Sequence, residues 1–200
     1  MSAIKLPLRG RPRTFDADEA VETAMKLFHR SGYDAVGVAE LVAALGVKPP
    51  SFYAAFGSKL GLFRKALDRY AKGDANLFAA AKAKGGNVTA VVDRMLLLAA
   101  RRYPEQGGVA GCLVIDGARN SADREARMAA MAAKAVSTAA LRDFIATEYP
   151  ARARELAAFV SIAMAGMSSA ARDGGDEATL TAFAKMASRA FRQEAGTRHS

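Results

Sequence analysis

Apolar side chains return every three or four residues along most of the chain, and no stretch keeps the strict alternation of a half-buried strand. This pattern predicts an all-α protein of about nine helices. Val21, Ala24, Met25 and Phe28 share one face of a first helix over about 16–31. Asp16 and Glu19 form a capping box in front of it, and Gly32 supplies a stop. Val38, Leu41, Val42 and Leu45 mark a short second helix closed by Gly46. A third opens at Lys48-Pro49-Pro50, where the missing proline N–H costs nothing, and turns Phe52 and Phe56 inward at i, i+4. Ser58 caps a long helix from Lys59 to about Ala83, burying Phe63, Ala66, Leu67, Tyr70 and Leu77.

Beyond Gly85-Gly86, Asn87 caps a helix to about Arg102, and Pro104 to Gly108 reads as a loop. Gly111-Cys112-Leu113 starts a short helix ending near Asn120. Ser121, with Asp123 and Glu125 in the first turn, opens a long one to about Glu148. Pro150 begins the next, which Gly174-Gly175 ends, and Asp176 caps the last, to about Glu194. Three regions follow: an arm over 1–15, a three-helix unit over 16–58 and a larger helical domain over 59–200.

Composition narrows the class. With 51% hydrophobic and 24% charged residues the chain is too apolar for a disordered protein. Cys112 is the sole cysteine, so no internal disulfide is possible, and a reduced, cytoplasmic setting is expected. No run approaches the roughly 18–20 apolar residues of a membrane span, and no apolar signal-peptide core follows the N-terminal charges. The net charge of +9 points to a polyanionic partner. Its distribution says more. Residues 1–15 carry Lys5, Arg9, Arg11 and Arg13 and no acid, and Asp16, Asp18, Glu19 and Glu22 follow at once.

Three short helices, a glycine turn between the second and third, and an arginine-rich arm make a helix-turn-helix with an N-terminal arm. Phe28-His29-Arg30-Ser31-Gly32-Tyr33, Val38-Ala39-Glu40-Leu41, Leu45-Gly46-Val47-Lys48 and Ser51-Phe52-Tyr53-Ala54-Ala55-Phe56-Gly57-Ser58-Lys59 resemble the signature of the TetR/AcrR family in order and spacing, over roughly residues 13–67. The Gly111-Cys112-Leu113 segment looks like one recurring subgroup of that family. The resemblance implies a homodimeric, sequence-specific transcription regulator, released from a pseudo-palindromic operator in double-stranded DNA by a small-molecule effector. No cofactor, metal or membrane is implied.

Phe52 and Phe56 anchor the third helix, which turns Ser51, Ala54 and Ala55 toward a major groove. There Lys48 and Ser51 offer hydrogen bonds, and Pro49 and Pro50 offer apolar contact. By resemblance, Tyr53 and Lys59 are phosphate-contacting positions. Arg9-Gly10-Arg11-Pro12-Arg13 suits a narrow minor groove, with a solvated tail as the alternative. Two departures stand out. Gly37 replaces the hydroxyl residue that usually caps the second helix, and Val42 replaces a common alanine, which would set two helices slightly apart.

For the rest of the chain the resemblance implies a ligand pocket and a dimer seam built from the last two long helices. Phe159, Ile162, Ala163, Gly166 and Ala170 make one apolar, small-residue face, and Leu180, Phe183, Ala184, Ala187 and Phe191 make another. An internal core seam is the alternative. Met95, Leu98, Met128, Met131, Phe144 and Met164 are pocket candidates, since methionine adapts to varied apolar ligands; plain core is the competing reading. Cys112 joins them, either as a reactive thiol helped by a helix N-terminus or as a structural cysteine. His29 and His199 are the only histidines, too few with one cysteine for a transition-metal site. An enzyme is not expected, because no phosphate loop, dinucleotide fingerprint, H-E-x-x-H or nucleophile–base pair is present. A ligand-independent architectural DNA-binding protein remains the second reading, and a small helical enzyme a distant third.

Overall fold

In the computed structural model, which describes residues 16–105 and 108–196, the chain is all-α. Arg9, Arg11, Arg13 and the rest of the arm lie outside the described residues, as does His199. Ten α-helices are described: α1 Ala17–Ala35, α2 Val38–Leu45, α3 Pro49–Phe56, α4 Lys59–Lys72, α5 Leu77–Lys82, α6 Val88–Arg102, α7 Leu113–Asp116, α8 Arg124–Ile145, α9 Ala153–Arg172 and α10 Glu177–Gly196. A 3-10 turn at Pro150–Arg152 leads into α9.

Helix starts follow the capping residues. Asp16 accepts from the Asp18 and Glu19 N–H groups at 2.8 and 3.2 Å, Ser58 from Gly61 at 3.0 Å, and Asn87 from Ala90 at 2.9 Å. Each such cap is worth about 1 kcal/mol. At α8 the cap is Asp123, which takes the Glu125 and Ala126 N–H groups, two residues later than Ser121.

Two helices differ from the periodic pattern. The expected single helix over 59–83 is broken at Gly73, and Asn76 restarts it as α5. Asn76 accepts from Ala79 N–H at 2.9 Å and donates to the Ala71 carbonyl at 2.8 Å, closing the turn with its own side chain. The apolar period runs on across this break and conceals it. In α1 the chain passes through Gly32 at φ 77°, and one further turn to Ala35 follows where a stop was expected.

Two cores result. One joins α1–α4 to α7 and the first half of α8 through Phe28, Phe52, Phe63, Leu113 and Ala126. The other joins α5, α6, α9, α10 and the second half of α8 through Leu96, Ile145, Leu156, Met167 and Phe191. Cys112 packs at the edge of both. Helix α8 ties the two together, with Ala126 and Ala130 in the first and Leu141 and Ile145 in the second.

Candidate DNA-reading head and interior cavity

Helix α3 seats on the first core through Phe52 and Phe56, both buried, with their rings 5.6 Å apart. This leaves Lys48, Pro49, Pro50, Ser51, Tyr53, Ala54 and Ala55 on the exposed side. The turn before it is closed by Gly46 at φ 63°; the Gly46 and Val47 N–H groups donate to the Ala43 and Val42 carbonyls, each at 3.2 Å. A left-handed residue here is most easily a glycine. Gly37 stands at the start of α2 with no side-chain cap, and Val42 is half-buried against the core. Tyr53 is 50% exposed, its ring edge-on to Phe52.

Lys59 is less free than its position suggests. Its Nζ lies 4.1 Å above the Tyr33 ring, a cation–π contact. Its charge adds a minor pull to the hydrogen bonds, from Ser121 and Ala122 on Asp34 and from Ala126 N–H on Asp123, that lower these carboxyls. Periodicity did not single out Gly61. A Cβ there would lie 2.1 Å from the Phe56 carbonyl oxygen, so α4 can start close against the end of α3 only with glycine at this place.

The end of α1 is clamped to the start of α8. Asp34 accepts from the Ser121 hydroxyl and, at 2.7 Å, from the Ala122 N–H; these bonds hold its carboxyl below the usual range. Tyr33 donates its hydroxyl to Asp123 Oδ2 at 3.1 Å, and burial, then that carboxylate, push the phenol up to about 12. These aspartates bear on position more than on chemistry.

Comparison with known proteins decides what the reading head belongs to. The family described as bacterial regulatory proteins, tetR family, matches residues 20–66. The HTH-type transcriptional repressor BdcR of Escherichia coli is 41% identical over 183 residues, covering 92% of each chain. The chain belongs to the TetR family. It is a DNA-binding transcriptional regulator. The HTH-type transcriptional repressor ComR of the same organism is 42% identical over 113 residues, 54% of this chain and 52% of that protein. Among solved structures, a cysteine mutant of the TetR family regulator CifR, complexed with 26-bp double-strand operator DNA, matches with TM-score 0.81 and 30% identity over 90% of this chain and 99% of that one.

In this TetR-family chain helices α4 to α9 surround a mostly apolar cavity of about 280 Å³ that is partly open to solvent. Tyr70, Phe78, Met95, Tyr103, Ile115 and Met164 line it, together with Cys112. Of the pocket candidates, then, Met95, Cys112 and Met164 face the cavity. Leu98 and Phe144 pack partly buried against the second core and are not among its lining residues. Met128 and Met131 are corrected outright: they lie on the solvent side of α8, Met131 at 69% exposure. Ala126, Ala129, Ala130 and Ala133 fill the inward face of the first half of that helix, so the larger residues there fall outside. Asp68 and Lys72 border both the cavity and a larger hollow of about 700 Å³ between α1 and α4; the larger one also has Asp18, Glu22, Lys65 and Arg69 on its walls, which suits an apolar molecule less well. Burial pushes the Cys112 thiol up, against the smaller opposite pull of the N–H groups at the start of α7. The Tyr70 hydroxyl beside it is raised as well, chiefly by burial.

The two seam faces divide into a buried and an exposed row. Leu180, Ala184, Ala187 and Phe191 are buried in the second core, as is Ala163, and they bind α10 and α9 inward. The exposed surface is a different row: Ile162 at 72%, Gly166 and Ala170 on α9, and Phe183 with Met186 on α10. Phe159 lies half-buried against the second core. Both helices are apolar on two sides, and the pattern of α10 favoured the inner one. Among the described residues no helix is long and apolar enough to cross a membrane, and no group of three potential metal ligands occurs.

Proposed function

We propose that the chain is a homodimeric repressor that leaves a pseudo-palindromic operator when a small, mainly apolar molecule enters the 280 Å³ cavity. One observation carries this reading: α4 begins at Lys59 against the reading head and, through Tyr70 and Ala71, forms part of the cavity wall. A molecule that fits better with α4 tilted would shift the paired reading heads from the spacing of about 34–36 Å set by successive major grooves. The names of the relatives, both repressors, support the direction of control. Pairing through Ile162, Gly166, Ala170, Phe183 and Met186 would cover the exposed apolar row, which is otherwise a poor surface for a monomer. Lys48, Pro49, Pro50 and Ser51 meet base edges, Gly37 brings the α2 backbone to phosphate, and Tyr53 and Lys59 face the strands. Arg9, Arg11 and Arg13 follow the minor groove.

A genomic-fragment pull-down with sequencing supplies the duplex, and a salt titration then tests the interface. Affinity should fall steeply between about 50 and 200 mM salt as counterions are released. Lys59→Ala should lower the slope by about one unit. Affinity independent of salt, or recovery of no preferred fragment, overturns the reading.

A further inference from the structure

The Gly32 break in α1 releases two backbone groups. In an unbroken helix the Tyr33 N–H would donate to the His29 carbonyl four residues back. With Gly32 at φ 77°, Tyr33 N–H donates instead to the Gly117 carbonyl at 2.7 Å, and the His29 carbonyl accepts from Arg172 Nη2 at 3.2 Å. One bond within a helix is thereby exchanged for two that cross to α7 and α9. A third crossing bond runs from His29 Nε2 to the Gly111 carbonyl at 3.1 Å. Segment 111–117 is therefore fastened to α1 at both of its ends. The same segment presents Cys112, Val114 and Ile115 to the cavity.

A buried carboxylate holds the arrangement. Asp116, its side chain 6% exposed, accepts from Arg172 Nε at 3.0 Å, from Arg119 Nη2 at 2.9 Å and from the Ser168 hydroxyl. Ser168 Oγ in turn accepts the Cys112 N–H at 2.8 Å. The fit around this cluster is close. A Cβ at Gly111, itself at φ 74°, would lie 2.8 Å from Ser168 Oγ and 2.9 Å from Asp116 Oδ2.

We propose that Arg172, oriented by Asp116, is an interdomain latch that works with the Gly111 and Gly117 bonds to pass the state of the cavity from segment 111–117 to α1 and so to the reading head. The proposal rests on the cavity being the effector site and adds a second route beside α4. A molecule pressing on Cys112 and Ile115 must either carry the end of α1 with the segment or part the bonds at His29 and Tyr33. Arg172 joins α9 directly to α1, and its loss leaves the Gly111 and Gly117 bonds as the remaining hydrogen-bonded link from the segment to α1, which weakens the coupling.

The test uses the full-length chain, with Cys112→Phe as a built-in occupant of the cavity and Ile115→Phe as a second one should the first fail to fold. Two readouts are taken: affinity for the duplex recovered from the genomic pull-down, and amide hydrogen exchange over residues 29–35. Either occupant should weaken DNA binding within the 5–150-fold span usual for coupled sites and speed exchange at Tyr33. In an Arg172→Met background the same occupant should weaken DNA binding by a clearly smaller factor than in the unaltered chain, because only the Gly111 and Gly117 bonds then carry the displacement. Arg172→Lys keeps a charge beside Asp116 but cannot reach the His29 carbonyl as well, and should behave like Arg172→Met. Effects that simply multiply, or exchange that stays unchanged with an occupant in place, overturn the latch while leaving the regulator reading intact. If the unaltered chain recovers no duplex yet exchange responds as described, the regulator reading falls and the latch stands.

Discussion

The two cores of this molecule are made differently. Around the reading head, Phe28, Tyr33 and Phe63 meet with ring centroids 4.9 to 5.9 Å apart, and Phe52 and Phe56 close the far side. The second core leans on Ala99, Ala100, Ala157, Ala184 and Ala187, so α6, α9 and α10 approach closely, with Phe191 and Tyr103 as its buried rings among the described residues. Large rings with few rotamers fix one geometry, as a surface that must match a groove requires. A core of alanines and aliphatic side chains, with Met164 and Met167 inside it, holds helices near one another yet tolerates a hollow beside it. The contrast teaches that rigidity and adaptability here are composed from side-chain size more than from helix content.

The sharpest way to break that comparison is to remove a ring. Phe28 is fully buried, with Phe63 edge-on at 5.0 Å. Phe28→Ala should cost about 3–5 kcal/mol in a denaturant titration, a large share of the roughly 5–15 kcal/mol available to a domain. A loss under about 1 kcal/mol would show that the aromatic cluster does not set the geometry of the head.

The second core is tested in the opposite sense, by adding volume. Ala99 is fully buried on α6 within the small-residue core. Ala99→Leu should destabilise by about 1–3 kcal/mol through forced displacement of close-packed helices. Acceptance at no cost would mean this core is slack throughout, and the hollow would then be one void among several.

Legibility in the sequence divides along the same line. The reading head could be read because its signals are local: a capping aspartate, a glycine in a left-handed turn, prolines in a first turn and phenylalanines one helical turn apart each act on their own neighbours. Gly61 was missed, since its reason is a carbonyl brought near only by folding. The larger domain was read less well. Its helices are apolar on more than one side, so periodicity could not tell the inward row of Leu180, Ala184, Ala187 and Phe191 from the exposed row of Phe183 and Met186. Methionine content likewise placed Met128 and Met131 in a pocket that their helix turns away from. The Arg172–Asp116 contact spans 56 residues and carries no periodic signal at all.

The smallest expected effect falls on the seam between the two regions, at His29. Its ring donates to the Gly111 carbonyl and stands edge-on to Tyr70 at 5.2 Å, in reach of Arg172 and Asp116. Burial, more than any other influence, holds its pKa below the ordinary value; the Gly111 carbonyl opposes the shift, Arg172 adds to it and Asp116 counters. The unfolded chain therefore takes up this proton near pH 6.5, whereas the folded chain does so only at lower pH. Stability is at its full value above about pH 6.5 and falls as the pH drops toward the lowered folded value. One group can give a slope no steeper than about 1.4 kcal/mol per pH unit. His29→Gln keeps a donor for the Gly111 carbonyl and removes the titration, so its stability should stay flatter across that window. Denaturant midpoints for both chains from about pH 7 to 5 measure the difference. Equal slopes would mean that His29 is as well hydrated folded as unfolded, and that the seam between the two cores is open to water.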